Sequence, residues 1–180
     1  MAVSNGVPVL LRTKLYRPPL QEDHVARRHL LRKLDAGRGG KLTLVAAPAG
    51  FGKTTLVLSW LAELEAQAAS SAGRTEDSLR ISWLSVDRHD NDLARFLTYL
   101  VAAITVPAPD ACPTFSPVLQ TVPLPPEDYL VELLVNDLAQ LPGRLVIVVD
   151  DYQEIRNLAI QQTVEELINH LPGNVHLVLI

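Results

Sequence analysis

The sequence predicts an α/β protein in which a mostly parallel sheet lies between layers of helix. Three observations lead there. Short apolar runs alternate with stretches of helical period along most of the chain. A small-residue turn, Ala47 to Gly52, separates one apolar run from a helix. Leu145-Val-Ile-Val-Val149 is continuous and β-branched, as a strand covered on both faces is, and it ends on two carboxylates, Asp150 and Asp151.

Taken in order, residues 1 to about 20 hold Pro8, Pro18 and Pro19 with no helical period, and are expected to form an extended arm. Asp23 is placed to cap a helix from His24 to about Leu34, and Gly37, Gly39 and Gly40 end it. Leu42 to Ala46 reads as a buried strand. Thr54 to Ala69 reads as a helix, with Leu56, Trp60, Leu61 and Leu64 on one face and Trp60 in the core. Ser70 to Ser78 is polar and reads as a loop, and Leu79 to Val86 as the second strand. Asp87 to Asp92 is an acidic turn rich in caps, from which Leu93, Phe96, Leu97, Leu100, Val101 and Ile104 follow a helical step. Val106 to Pro126 holds seven of the 13 prolines and is expected to cross the surface as a long, flexible, irregular connection. Pro126 suits the first position of a helix that buries Leu130, Leu133, Leu134 and Leu138 and stops near Pro142-Gly143. After the Leu145 strand, Asn157 caps a helix carrying Ile160, Val164, Leu167, Ile168 and Leu171. Pro172-Gly173-Asn174 then turns the chain into a last strand, Val175 to Ile180. Right-handed crossovers would join these strands.

Composition narrows the function. The chain has 180 residues, enough for a substantial core, and no apolar run long enough to span a bilayer, so no membrane partner is expected. A single cysteine, Cys112, excludes an internal disulfide and a cysteine-based metal site, and a reducing cytoplasm is expected. A net charge of −4 argues against a DNA-binding surface, although residues 1 to 41 carry nine Lys or Arg against three acids. The five histidines have no metal-ligand spacing and read as surface or packing residues.

The chemistry concentrates in Ala47-Pro-Ala-Gly-Phe-Gly-Lys-Thr-Thr55. Strand, small-residue turn and helix are the setting of a phosphate-binding loop. Gly50 and Gly52 let the amides of Ala49 to Thr55, with Phe51 among them, turn toward an anion, and the helix that follows adds its own unpaired N–H groups. Lys53 can reach the β- and γ-phosphates, and the Thr54 hydroxyl can hold Mg²⁺. The pattern G-x-x-x-x-G-K-[ST] has Ala47 in place of its first glycine, which requires that residue to keep a negative φ.

Asp150, 97 positions after Lys53, matches the Walker B carboxylate that holds Mg²⁺ at the end of an apolar strand. Asp151 is placed to orient or activate the water attacking a γ-phosphate. No [NT]-K-x-D string occurs to read guanine, so ATP is expected rather than GTP. A small-molecule kinase and a non-hydrolysing adaptor are alternatives. The kinase would need arginines over the phosphates, and only Arg88 and Arg95 lie in a suitable region.

Several segments together resemble one family. They are Thr13-Lys-Leu-Tyr-Arg-Pro-Pro19, Val25-Ala-Arg-Arg-His-Leu-Leu31, the 47–55 loop, Ile81-Ser-Trp-Leu-Ser-Val-Asp87, Asn91-Asp92 with Arg95-Phe96, and Val148-Val-Asp-Asp-Tyr152. Their order and spacing are similar to the amino-terminal nucleotide-binding domain of MalT-like, LuxR-type transcriptional regulators, within the STAND class of signalling ATPases. The resemblance implies a three-layer P-loop NTPase core over 41–180, preceded by a basic arm and helix over 1–40 that help to hold the nucleotide base. It implies a pocket role for Pro18, Val25 and Arg27, while His29 stands where an arginine is usual. Ala47 matches the family's own loop variant. Also implied are slow ATP hydrolysis as a switch to self-association, and DNA contact only through a carboxyl-terminal domain absent here. In such sheets the strand after Walker B inserts between the other two, so Val175 to Ile180 would be the fourth core strand of a truncated sheet. The arginine that senses the γ-phosphate would lie beyond Ile180, and a fragment of this kind is expected to bind ATP weakly and hydrolyse it hardly at all.

Overall fold

The computed structural model describes residues 10–21, 25–70 and 78–180. Four parallel strands form one sheet: β1 (Leu42–Leu44), β2 (Leu79–Ser85), β3 (Arg144–Asp150) and β4 (Val175–Leu179), in the spatial order β1-β4-β3-β2. The insertion of β4 between β1 and β3 is the order the resemblance implied. Helices α1 (Arg28–Gly37), α2 (Lys53–Ser70), α3 (Leu93–Thr105), α4 (Phe115–Val118), α5 (Glu127–Ala139) and α6 (Leu158–His170) complete the fold.

The pleat of β3 sorts the core into two layers. Val146 and Val148 pack with Leu31 and Leu34 of α1 and with Val57, Trp60, Leu61 and Leu64 of α2. Leu145, Ile147 and Val149 face the other way, onto Phe96, Leu100, Leu134 and Leu167 of α3, α5 and α6. A strand buried on both sides has no polar face, which is why its sequence reads as an unbroken apolar run. Capping follows the sequence: the carboxylates of Asp87 and Asp92 and the amide oxygen of Asn157 each accept a backbone N–H of the turn or helix they precede.

Four expectations need correction. β1 stops at Leu44 and is not buried, since Leu44 is 66% exposed; it forms an edge of the sheet. The first helix begins at Arg28, with Arg27 as an N-cap whose side chain makes no capping bond; Asp23 and His24 lie outside the described residues. The arm is not extended throughout, because Arg12–Leu15 form a 3-10 turn that buries Lys14. The proline-rich connection is not a loose crossing: it contains α4, and Ala111, Cys112 and Phe115 sit in the core.

His176 is a packing residue, as expected. It is buried, its Nδ1 lies 2.7 Å from the Gly40 carbonyl, and the Thr43 hydroxyl lies 2.9 Å from its Nε2. The carbonyl can only accept, so Nδ1 carries a proton, and burial pushes the ring's pKa down. Among the described residues, no helix is long and apolar enough to cross a membrane.

Candidate functional site

The site forms at the carboxyl ends of the strands, where open parallel sheets take ligands. β1 gives way to the 45–52 loop, whose Gly50 and Gly52 hold φ of +81° and +74°. These are left-handed values that favour residues without a Cβ. Ala47 meets its condition, because the only described non-glycine residue with positive φ is Asp151. α2 starts at Lys53, so its first amides point back into the loop.

Lys53 Nζ donates to the carbonyls of Ala47 (2.9 Å) and Pro48 (3.5 Å) and so closes the loop on itself. The Thr54 hydroxyl donates to Asp150 Oδ1 at 3.1 Å, joining residues 96 positions apart. The pleat explains this meeting. Asp150 continues the series Val146, Val148 on the α2 side of β3, so its carboxylate arrives at the first turn of α2. Asp150 is 6% exposed, and burial first, then the charge of Asp151, pushes its pKa up, against the bond from Thr54. Asp151 follows in the left-handed region (φ 60°, ψ 33°), exposed, its carboxylate accepting from Gln153 Nε2 at 2.9 Å.

Donor chemistry fits a hard divalent cation. A hydroxyl and a carboxylate converge, and oxygen ligands suit Mg²⁺. Among the described residues no group of three or more His, Cys, Asp or Glu is arranged to hold a metal.

Beside the loop, Val25, Arg27, Gly50, Gly52, Thr55, Leu56 and Ser59 line a pocket of ≈ 240 Å³. Arg27 Nη1 donates to the Phe51 carbonyl at 3.0 Å, so the segment before α1 is tied to the phosphate loop. Phe51 itself is 58% exposed. Pro18 is half-buried and is not among the lining residues. Ala49 and Thr55 are exposed on the loop and the first turn of α2.

Sequence reasoning missed the residues that brace the site. Lys14 forms ion pairs with Asp87 (2.8 Å) and with the fully buried Asp90. Asn91 bonds to the segment after Asp151. The capping spacing Asp87-x-x-Asp90 was a signal for the turn, but not for its partners.

A family model described as AAA ATPase domain matches residues 25–180. The chain belongs to the AAA ATPase domain family. This AAA ATPase domain is 33% identical over 172 residues to the HTH-type transcriptional regulator MalT of Yersinia pestis (strain Pestoides F), and 34% identical over 172 residues to that of Yersinia enterocolitica. Each alignment covers 96% of this chain and 18% of the relative, so the chain spans under a fifth of the length of the curated relatives it matches. The resemblance to MalT-like regulators stands on these identities. A solved structure, Drosophila ORC bound to AT-rich DNA and Cdc6, aligns at 15% identity with a TM-score of 0.46, over 84% of this chain and 44% of that one. Membership of the AAA ATPase domain family implies nucleotide binding.

Proposed function

We propose that this chain is the ATP-binding module of a cytoplasmic transcriptional regulator, in which Mg-ATP binding and slow hydrolysis switch self-association. The observation that carries the reading is the bond between Thr54 and Asp150, which brings the two halves of a nucleotide site together across the fold. The amides of Ala49 to Thr55 would hold the phosphates, and Lys53 would exchange its two loop carbonyls for β- and γ-phosphate oxygens. Thr54 and Asp150 would hold magnesium, which supplies neutralisation of phosphate charge when bound. Asp151 would orient the attacking water. Val25 and Arg27 would flank the base, with Pro18 in the segment leading to them.

The Yersinia relatives, which are HTH-type transcriptional regulators, support the regulatory part of the reading. DNA contact would belong to a part of the protein outside this chain. The kinase alternative is weakened, since Arg95 Nε is held by Asp90 at 3.0 Å and Arg88 alone is left for a lid. Calorimetric titration with Mg-ATP tests the proposal. The unaltered protein is expected to bind, and Lys53→Ala to lose all measurable binding; equal affinity in both would remove Lys53 from the site and overturn the reading.

A further inference from the structure

We infer that Asn91 is a positioning residue for Asp151, locking the turn after β2 to the turn after β3. The inference rests on the proposed nucleotide chemistry. Asn91 Nδ2 donates to the carbonyls of Arg88 (3.1 Å) and Glu154 (2.8 Å). Its Oδ1 accepts the backbone N–H groups of Arg156 (2.6 Å) and Asn157 (3.0 Å). Asn157 Nδ2 returns a bond to the Asn91 carbonyl at 3.0 Å. Both donors and both acceptor positions of one side chain are thus used, three of the four bonds spanning 63 to 66 residues of sequence, and two carbonyls facing two amides fix which end is nitrogen.

Asn91 is itself anchored. Its neighbour Asp90 is wholly buried, paired with Lys14 and Arg95, and accepts the Asp87 N–H at 2.9 Å. On the far side, the Glu154 N–H donates to the Asp151 carbonyl at 2.9 Å, and the Tyr152 N–H donates to the Ile180 carbonyl at 2.8 Å. The short turn after Asp151 is therefore held by Ile180, just past β4, at its start and by Asn91 at its end. Asp151 sits in the left-handed region, which aspartate tolerates better than most non-glycine residues, and the turn bonded on either side of it sets its direction. Three of the four side-chain bonds of Asn91 fall on Glu154, Arg156 and Asn157, the segment that follows Asp151 and closes its turn. Asparagine is demanded here: aspartate would set an oxygen against two carbonyls, and an apolar residue would abandon four partners.

Asn91→Asp, close to isosteric, tests this in the protein that carries this chain. Mg-ATP affinity is expected to stay within about twofold while single-turnover hydrolysis falls between tenfold and about a hundredfold, the scale of a misplaced catalytic group. In an Asp151→Asn background the same substitution is expected to add nothing, because both act through one carboxylate. Asn91→Ala, which deletes the bonds without introducing repulsion, is expected to give the same split. Amide exchange at Arg156 and Asn157 should quicken in both variants. Wild-type hydrolysis in Asn91→Asp, equal loss of binding and turnover, or a full additive effect on Asp151→Asn would each overturn the inference. An unaltered protein that binds but never turns over ATP would instead bring down the hydrolytic part of the proposed function. Unchanged exchange at 156 and 157 would overturn the lock itself.

Discussion

Asp150 is caught between folding and chemistry. Its carboxylate lies under the first turn of α2, where burial and the neighbouring Asp151 raise its pKa. A raised folded-state pKa means that the folded protein holds this proton more firmly than the unfolded chain. The stability it contributes is complete below the ordinary carboxylate range and is lost as pH rises through the raised value. At neutral pH, above the ordinary carboxylate range, burying this carboxyl therefore costs the folded state stability. Asp150→Asn is expected to raise the melting temperature at pH 7, by about 2–4 °C for each kcal/mol recovered, and to abolish the Mg²⁺-dependent part of nucleotide affinity. Thermal melts with and without Mg-ATP check both halves. A lower melting temperature in the metal-free variant would mean that the bonds from Thr54 and the Asp151 amide outweigh the cost of burial.

Among the elements, the proline-rich 106–126 segment departs furthest from its sequence. Seven prolines break every period, so nothing in the string marks Ala111, Cys112 and Phe115 as core. Their anchor is Asp137, on a different element. Its carboxylate accepts the N–H of Thr114 (3.0 Å), the Thr114 hydroxyl (2.6 Å) and the N–H of Phe115 (2.9 Å), starting α4 against α5. Burial, helped by Asp137, pushes the Cys112 thiol up to about 12, so it stays protonated. Asp137→Ala would leave buried donors without a partner and is expected to cost about 3 kcal/mol, read as a lower urea midpoint. Asp137 looks like an ordinary helical carboxylate in sequence. The phosphate loop, by contrast, was legible because glycine, lysine and threonine carry their own conformational and chemical reasons.

Across the whole molecule, the described amino-terminal arm ties the helical layers to the site. The Leu11 N–H donates to the Tyr99 hydroxyl at 3.0 Å on α3, Lys14 joins Asp87 and Asp90, and Arg17 pairs with Glu65 of α2 at 2.9 Å. Burial alone would lower the Lys14 pKa, but its hydrogen bonds to Asp87 and Asp90 lift it above its ordinary value. Lys14→Ala strips a partner from a carboxylate with no exposed surface and is expected to cost about 3 kcal/mol. Arg17→Ala breaks a solvent-exposed pair and is expected to cost less than about 1 kcal/mol. Chemical denaturation of the two variants side by side checks the contrast; equal costs would mean that Arg95 suffices to hold Asp90.

Local chemistry alone determined the alternation of strands and helices, the caps at Asp87, Asp92 and Asn157, and the phosphate loop, since each depends on residues close in sequence. Two adjacent carboxylates ending a strand were equally visible. What only the tertiary structure decided is where each of the two goes. α2 covers the face to which Val146 and Val148 point, so the pleat delivers Asp150 to Thr54 while a left-handed turn carries Asp151 outward. Lys14, Asn91 and Asp137 stayed hidden for the same reason: their partners lie far along the chain, and long-range pairing leaves no period in a sequence.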